Sequence, residues 1–359
     1  MKKIVICCLI LMGIAGGAVA QQIYIKDMAG RNVTVPYDPA KIICLGPGTL
    51  RLIVYLNAQD KVAGVEDMEK RNPAGRPYWL ANLHLAGLPR IGPGGPASIN
   101  KKPDLEAVLN VNPDLIFMTQ TDISIADQVQ EQLHIPIVIL SYGAFGTFDE
   151  QIYESLKLAG KILNREKRAE DVIAFIESAR KELEAKTKDL PDTEKPDIFV
   201  GGIGMRGAQS IESSEKNYIP LKWANAKNIA EKIAPTEGSH VFMDKEKLLV
   251  LNPDVIFIDG GGLKLIEQDI ARKPEYYKAL KAFQKKRVYT LLPFNSYSTN
   301  AETALADAYA IARILYPKVF ADTDPEKKAD EIYTFMVGKP VYAEMKKDFG
   351  KIGAVFEMR

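Results

Sequence analysis

The sequence predicts an α/β protein built as two similar lobes joined by one long α-helix, with a cleft between the lobes. Three observations carry this. A fourteen-residue segment occurs twice: residues 104–117 (DLEAVLNVNPDLIF) align without gaps to 244–257 (DKEKLLVLNPDVIF), at an offset of 140 and with eight identities. Short apolar runs alternate with helix-patterned stretches in both halves, the signature of an α/β lobe. Residues 165–188 contain neither Gly nor Pro. The repeated unit has a physical logic. Asp104 or Asp244 starts a short helix. The Asn-Pro-Asp turn ends it, because Pro cannot continue a helix and biases the preceding residue toward extended backbone. A buried strand follows. One such unit per half implies two similar, Rossmann-like lobes, and a cleft between similar lobes is a natural ligand site.

The elements follow in order. Lys2 and Lys3 precede an apolar run over 4–14, and Ala18-Val19-Ala20 offers small residues for cleavage, so 1–20 reads as a secretory signal peptide. The run is shorter than the roughly 20 residues a bilayer span needs. A soluble, exported mature chain beginning near Gln21 is expected. Only Cys44 survives cleavage, so no intrachain disulfide is expected. Residues 23–35 alternate around Met28-Ala29-Gly30-Arg31 and read as a β-hairpin. Strands are expected at 42–45, 62–65, 115–118 and 137–140, buried on both faces. Helices are expected over 104–110, 125–133 and 148–163, with Thr49 capping another through Leu56.

In residues 165–188, Val172, Ile173, Phe175, Ile176, Ala179 and Leu183 fall at helical spacing. Twenty-four residues make about 36 Å of helix, long enough for a rigid strut between lobes. Pro191 and Pro196 end it. The second half repeats the scheme, with strands at 198–201, 255–258 and 288–291 and helical material at 218–234, 266–282, 300–315 and 325–336. The expected organisation is signal peptide 1–20, first lobe 21–163, linking helix 164–190, and second lobe 191–359 with C-terminal helices.

The duplicated Asp-Leu-Glu…Asn-Pro-Asp-Leu-Ile unit resembles substrate-binding proteins of iron–siderophore, haem and cobalamin ABC importers. The Asp27–Val33 hairpin, the Lys41-Ile-Ile43 strand with its Gly loop, the mid-chain helix and the closing segment 331–338 match the same pattern in order. The resemblance covers nearly all of 21–338. It implies two α/β lobes on one long helix that limits hinge motion, no catalysis, no intrinsic cofactor, and a periplasmic location. It also implies partnership with a permease dimer and its ATPase subunits. The expected ligand is a metal chelate such as an iron–siderophore, haem or corrinoid. The alternative is a simpler complex of nickel or iron with small organic ligands. In the family, paired glutamates, one per lobe, dock onto arginines of the permease; Glu106 and Glu246 hold those places here.

Cleft residues are expected on loops at the carboxyl ends of strands. Tyr78, Trp79, Tyr142, Met205 and Phe294 are candidates to pack a ligand. Arg51, Arg76 and Arg206 are candidates to pair with carboxylates or an anionic chelate. The three histidines are dispersed, which disfavours a bare zinc site. His240, at the cleft lip, is a candidate for ligand or metal contact, His84 in Leu83-His84-Leu85 is a further one, and His134 before Pro136 reads as structural. A net charge of +1 argues against nucleic acid, and a monomer is expected. Gly202-Ile-Gly-Met-Arg-Gly207 matches a dinucleotide fingerprint, the basis for a remote alternative: an exported nucleotide-dependent oxidoreductase. That motif needs a helix directly after it, and Ala208–Ser214 reads instead as a turn and a short extended piece.

Overall fold

A computed structural model describes residues 21–71, 73–143, 150–204, 207–234 and 238–358. The expected signal peptide and the candidates Met205 and Arg206 lie outside the described residues. β1 (Gln22–Lys26) and β2 (Asn32–Pro36) pair antiparallel as the expected hairpin. Asp27 closes its turn, Oδ1 accepting the Ala29 and Arg31 amides at 3.0 and 2.9 Å. β3 (Ile42–Leu45), β4 (Val62–Gly64), β5 (Leu115–Met118) and β6 (Ile137–Ile139) form a parallel sheet in the order β4-β3-β5-β6. The second half supplies β7 (Asp197–Gly201), β8 (Ser213–Glu215), β9 (Lys227–Asn228), β10 (His240–Phe242), β11 (Val255–Asp259) and β12 (Val288–Leu291). β8 and β10 pair antiparallel, and the other four make a parallel sheet ordered β12-β11-β7-β9. Numbered within its own half, each sheet has the same strand order. β3, β5, β6 and β11 are buried along their whole length, as strands covered on both faces must be.

The repeat behaves identically in both sheets. Asp104 and Asp244 cap the helices Leu105–Val111 and Lys245–Leu251, accepting the amides of Ala107 and Lys247 at 3.1 and 2.7 Å. Asn112 and Asn252 end those helices in the left-handed region, at φ 49° and 41°, a conformation Asn tolerates. The Asp of each Asn-Pro-Asp then pins the neighbouring strand. Asp114 Oδ2 accepts the Lys41 amide at 2.8 Å beside β3, and Asp254 Oδ2 accepts the Asp197 amide at 3.0 Å at the start of β7. Each Asp also returns its own amide to the same residue's carbonyl at 2.8 Å. The motif is therefore a helix stop and a strand-register pin in three residues.

The linking helix runs over Glu166–Thr187. Its buried stripe is Ala169, Val172, Ile176, Ala179, Leu183 and Thr187. It packs on the helix Gln151–Ile162 of the first half and on Ile219–Trp223 and Ala301–Leu315 of the second. Gly160 makes the first contact possible, since a Cβ there would stand 3.0 Å from Ala169 Cβ. Arg168 ties the helix to both ends of the chain, donating to the Tyr55 carbonyl at 2.8 Å and to the Phe335 carbonyl. The penultimate helix, Pro325–Val337, returns across the molecule to pack on Thr49–Tyr55 and Pro77–Ala81. One hydrophobic core consequently runs unbroken from the first sheet through the linking helix to the second, with a smaller core on the far face of each sheet.

Three expectations differ. Thr49 does not cap its helix: Gly48 is the cap residue, and the Thr49 hydroxyl bonds the Leu45 carbonyl at 2.7 Å and the Thr119 hydroxyl at 2.8 Å. Residues 218–234 hold no continuous helix but the short helix Ile219–Trp223 and a 3-10 turn Ile229–Lys232; a left-handed Asn225 stops the first, and Lys227–Asn228 between them adds an edge strand to β7. Pro274 interrupts the helical stretch 266–282, splitting it into Leu263–Arg272 and Pro274–Ala279.

Candidate functional site

In open parallel sheets ligands bind beyond the carboxyl ends of the strands, where the strand order reverses. In the first sheet that place lies between β3 and β5 and is made by Gly46–Gly48 and Thr119–Thr121. The backbone there must be compact. Gly46 has φ 88°, and a Cβ on it would stand 2.5 Å from the Thr119 carbonyl oxygen; Gly48 has φ 83°, and a Cβ would stand 2.7 Å from the Tyr142 ring. A cavity of ≈ 40 Å³ opens at this point, lined by Gly46, Glu66, Asn100, Lys101, Thr119 and Gln120 among others. Glu66 is its buried acid: Oε1 accepts the Gly46 amide at 3.1 Å, and burial pushes the carboxyl up to about 7.

Of the three candidate arginines, Arg51 and Arg76 are described, and both are already engaged. Arg51 is fully buried. Its Nε donates to Asn300 Oδ1 at 3.0 Å, Nη1 to the Thr299 carbonyl at 3.1 Å and Tyr142 hydroxyl at 3.3 Å, and Nη2 to the Ser296 and Tyr297 carbonyls at 2.9 and 3.0 Å. All five donors of the guanidinium are taken by protein. Its carbon also lies 4.6 Å from the Tyr78 ring centre. Arg76 makes a buried ion pair with Glu69 at 2.7 Å and donates to the Met68 and Glu69 carbonyls. The Tyr78 hydroxyl donates to the same carboxylate, 2.7 Å from Oε2. Tyr78, Trp79, Tyr142 and Phe294 are all buried. Tyr142 gives its hydroxyl proton to the Gly48 carbonyl at 2.8 Å, and Phe294 packs edge-on against Tyr218 at 5.3 Å. Arg51, Arg76 and their aromatic neighbours thus appear as the interior framework of the cleft rather than as an open lining. Arg51 and Arg76, expected to pair with carboxylates or an anionic chelate, spend their donors on protein groups, Arg76 on the Glu69 carboxylate among them, because a buried Arg must satisfy every donor it has.

In the second half two strand ends carry buried acids. Asp259 closes β11, Oδ1 accepting the Gly261 amide at 2.8 Å, and burial lifts its carboxyl to about 7. Glu215 ends β8, fully buried, with its carboxyl pushed up to about 8 by burial and then by Asp259. Neither Glu215 oxygen nor Asp259 Oδ2 has a hydrogen-bond partner among the described residues. His240 pairs with Glu215 in the β8–β10 ladder, and its Nε2 lies 2.9 Å from Ser213 Oγ. Among the described residues no three His, Cys, Asp or Glu side chains stand close enough to hold a metal ion, so His240 belongs to no protein-only metal centre there. His134 is the left-handed cap of the helix Ile123–Leu133, a structural role. Beyond Gly207 the chain runs into a turn and then β8, with no helix at the dinucleotide-like motif.

One segment joins the two halves at the site. Residues 294–300 follow β12, and Arg51 and Asn300 hold their carbonyls. Asn300 Nδ2 donates to Phe294, Ser296 and Ser298. From this segment the Tyr297 hydroxyl crosses to the first half, donating to Glu66 Oε2 at 2.7 Å and accepting the Gly95 amide at 2.9 Å. The sequence reading missed Glu66, Glu69 and Glu215, and reached Asp259 and Tyr297 only as members of the expected cleft loops 259–262 and 294–297, with no role for either side chain. A signal was present for two of them, since Glu66 and Asp259 come at the end of an apolar strand run, where a buried acid reaches a cleft.

Glu106 and Glu246 are exposed in the first turns of the two equivalent helices, where a carboxylate also suits the helix dipole. Exposed apolar side chains accompany them: Leu109 is 51% and Val250 83% accessible.

Residues 42–293 match the family model described as periplasmic binding protein. Among curated proteins, the chain is 23% identical over 300 residues to the uncharacterised ABC transporter substrate-binding lipoprotein YvrC of Bacillus subtilis, covering 83% of this chain and 87% of that one. It is 22% identical over 354 residues to the molybdate-binding protein MolA of Haemophilus influenzae, covering 93% and 95%. Solved structures of like fold include molybdate-bound MolA (TM-score 0.69, 19% identity, 89% and 98% covered). CeuE of Helicobacter pylori with nickel and histidine is another (0.62, 17%, 90% and 98%). A third is the petrobactin-binding protein YclQ of Bacillus subtilis (0.57, 19%, 82% and 99%).

Proposed function

We infer that this chain, which belongs to the periplasmic binding protein family, is an extracytoplasmic receptor that captures a metal chelate and delivers it to an ABC importer. The observation that carries the reading is the duplicated lobe. Two sheets of one topology stand one per half, one helix and one continuous core join them, and the segment after β12 reaches the strand ends of the first sheet through Tyr297. The relatives support it: YvrC is named as an ABC transporter substrate-binding protein, and MolA, CeuE and YclQ bind molybdate, nickel with histidine, and petrobactin. Residues 1–20 serve as the export signal, and the mature chain works as a soluble periplasmic monomer with no catalytic activity and no resident cofactor. No helix among the described residues is long and apolar enough to cross a membrane. Glu106 and Glu246, with Leu109 and Val250 beside them, meet the permease dimer, whose ATPase subunits supply the energy. We take 21–163 and 191–359 as the two lobes.

A second reading, a compact complex of nickel or iron with small organic ligands, draws support from the burial of Tyr78, Trp79 and Phe294. With those rings packed inward, the cleft offers polar groups rather than flat aromatic faces, which suits a small polar complex better than a macrocycle.

Two measurements test this. Protein purified from its native host and denatured should release one metal-bearing small molecule per chain in mass spectrometry; a nucleotide, or no metal-bearing species, would overturn the reading. Reversing both docking charges, Glu106→Arg with Glu246→Arg, should abolish uptake by cells while fold and ligand content stay normal, because rim charges tune encounter and partner choice rather than the cleft. Normal uptake would reduce the two glutamates to helix-start residues.

A further inference from the structure

We propose that Tyr297 is a latch between the lobes and that Arg51 is the residue that positions it. The proposal rests on the receptor reading and adds a control of access to the same site. Four observations carry it. The Tyr297 hydroxyl leaves its own half and binds two first-lobe groups, Glu66 Oε2 at 2.7 Å and the Gly95 amide at 2.9 Å. Glu66 lines the crevice at the ends of β3 and β5, so the acid offered to a ligand is the acid the latch grips. The latch is held in a backbone that non-glycine residues rarely adopt, φ 54° at Tyr297 and 74° at Ser298. Arg51 maintains that backbone from the first lobe through the carbonyls of Ser296, Tyr297 and Thr299 and the Asn300 side chain. The lobes also touch beside it, since a Cβ on Gly75 would stand 3.2 Å from Pro293 and Ser296.

The consequence is a competition. Glu66 keeps one oxygen on the Gly46 amide and the other on Tyr297. A ligand that brings a hydrogen-bond donor into the crevice contends with the tyrosine for that second oxygen. When the tyrosine lets go, the unusual backbone at 297 and 298 is free to relax, and the segment that binds the lobes together loosens. The latch is thus released from the ligand side of the cleft.

Amide hydrogen exchange on the ligand-free mature protein tests the latch without knowing the ligand. In Tyr297→Phe, which removes only the hydroxyl, exchange at the Gly95 amide should rise at least tenfold while amides of β5 and β11 keep their wild-type rates. Arg51→Lys, whose single ammonium cannot serve three carbonyls and an amide oxygen, should raise Gly95 exchange similarly. The double variant should go no further than either single one, because both act on the same bond. Glu66→Gln, which keeps an acceptor for the tyrosine, should retain protection at Gly95 that Glu66→Leu loses. Unchanged Gly95 exchange in Tyr297→Phe would overturn the proposal, as would additive effects in the double variant. If Arg51→Lys loosens all amides alike, it is a general packing residue, its positioning role fails, and Tyr297→Phe alone decides the latch. A metal-bearing ligand recovered from the native protein together with a protected Gly95 in Tyr297→Phe would sink the latch and leave the receptor reading intact.

Discussion

Replacing Arg76 by Ala separates a ligand-binding arginine from a framework arginine. The side chain is 1% accessible and its partner Glu69 4%, with 2.7 Å between Nη1 and Oε2. Truncation removes the cation and leaves a carboxylate deep in the protein with only the Tyr78 hydroxyl as a side-chain donor among the contacts described. Breaking a buried pair by removing one partner costs about 3–5 kcal/mol. The carboxylate has one escape, which is to take up a proton. Burial already holds the Glu69 carboxyl above its ordinary value, against the pull of Arg76. Keeping a carboxyl of ordinary pKa about 4.3 neutral costs about 1.4 kcal/mol per pH unit, hence about 3.8 kcal/mol at pH 7 and about 1 kcal/mol at pH 5. The loss should therefore be about 3–4 kcal/mol at pH 7 and shrink to about 1–2 kcal/mol near pH 5. Urea unfolding of wild type and Arg76→Ala at the two pH values measures it, and Arg76→Met with Glu69→Leu should recover much of the stability because neither charge then remains. A loss below about 1 kcal/mol at pH 7 with a collapse of ligand affinity would refute the framework role and restore the arginine to the ligand.

Two other expectations follow from the geometry. Because one helix and a continuous core join the lobes, small-angle scattering with and without ligand should give radii of gyration that differ only slightly; a large compaction would show a free hinge. Glu215 and Asp259 have folded pKa values raised by burial to about 8 and 7. A raised carboxyl binds its proton more tightly when folded, so its contribution is fully present below the unfolded value near pH 4 and is lost as pH rises through the folded value. Glu215→Gln, a mimic of the neutral acid, should thus gain stability relative to wild type as pH climbs from 6 to 9, read from thermal midpoints; a pH-independent difference would mean that Glu215 does not titrate in that window.

The elements that sequence determined share one property: each depends on neighbours in the chain. The Asn-Pro-Asp unit was legible because a helix cap, a proline stop and a buried strand are set within fourteen residues, and its recurrence at a fixed offset revealed two lobes of one topology. The linking helix was legible from its spacing alone: the patterned stretch 165–188 and the wider expected span 164–190 both contain the observed Glu166–Thr187. Where two local preferences conflicted, packing chose. Residues 227–228 lie in a stretch of helical character, yet the open edge of β7 took them as a strand.

The site was legible only as an address, the loops after the strands. Which side chains point into a cleft and which hold it up depends on partners more than two hundred residues away, such as Asn300 for Arg51 and Glu66 for Tyr297. Composition marks an arginine as an anion binder, but burial compels it to satisfy five donors, and the nearest carbonyls belong to a segment that only the fold brings there. Acids read as solvated because acids usually are; at Glu66, Glu215 and Asp259 the sheets enclose them, and the missing solvent changes their charge. Local pattern determines the lobes because helix caps and strand burial are short-range, whereas the chemistry of the cleft is decided by desolvation and by long-range hydrogen bonds, which exist only once the chain has closed on itself.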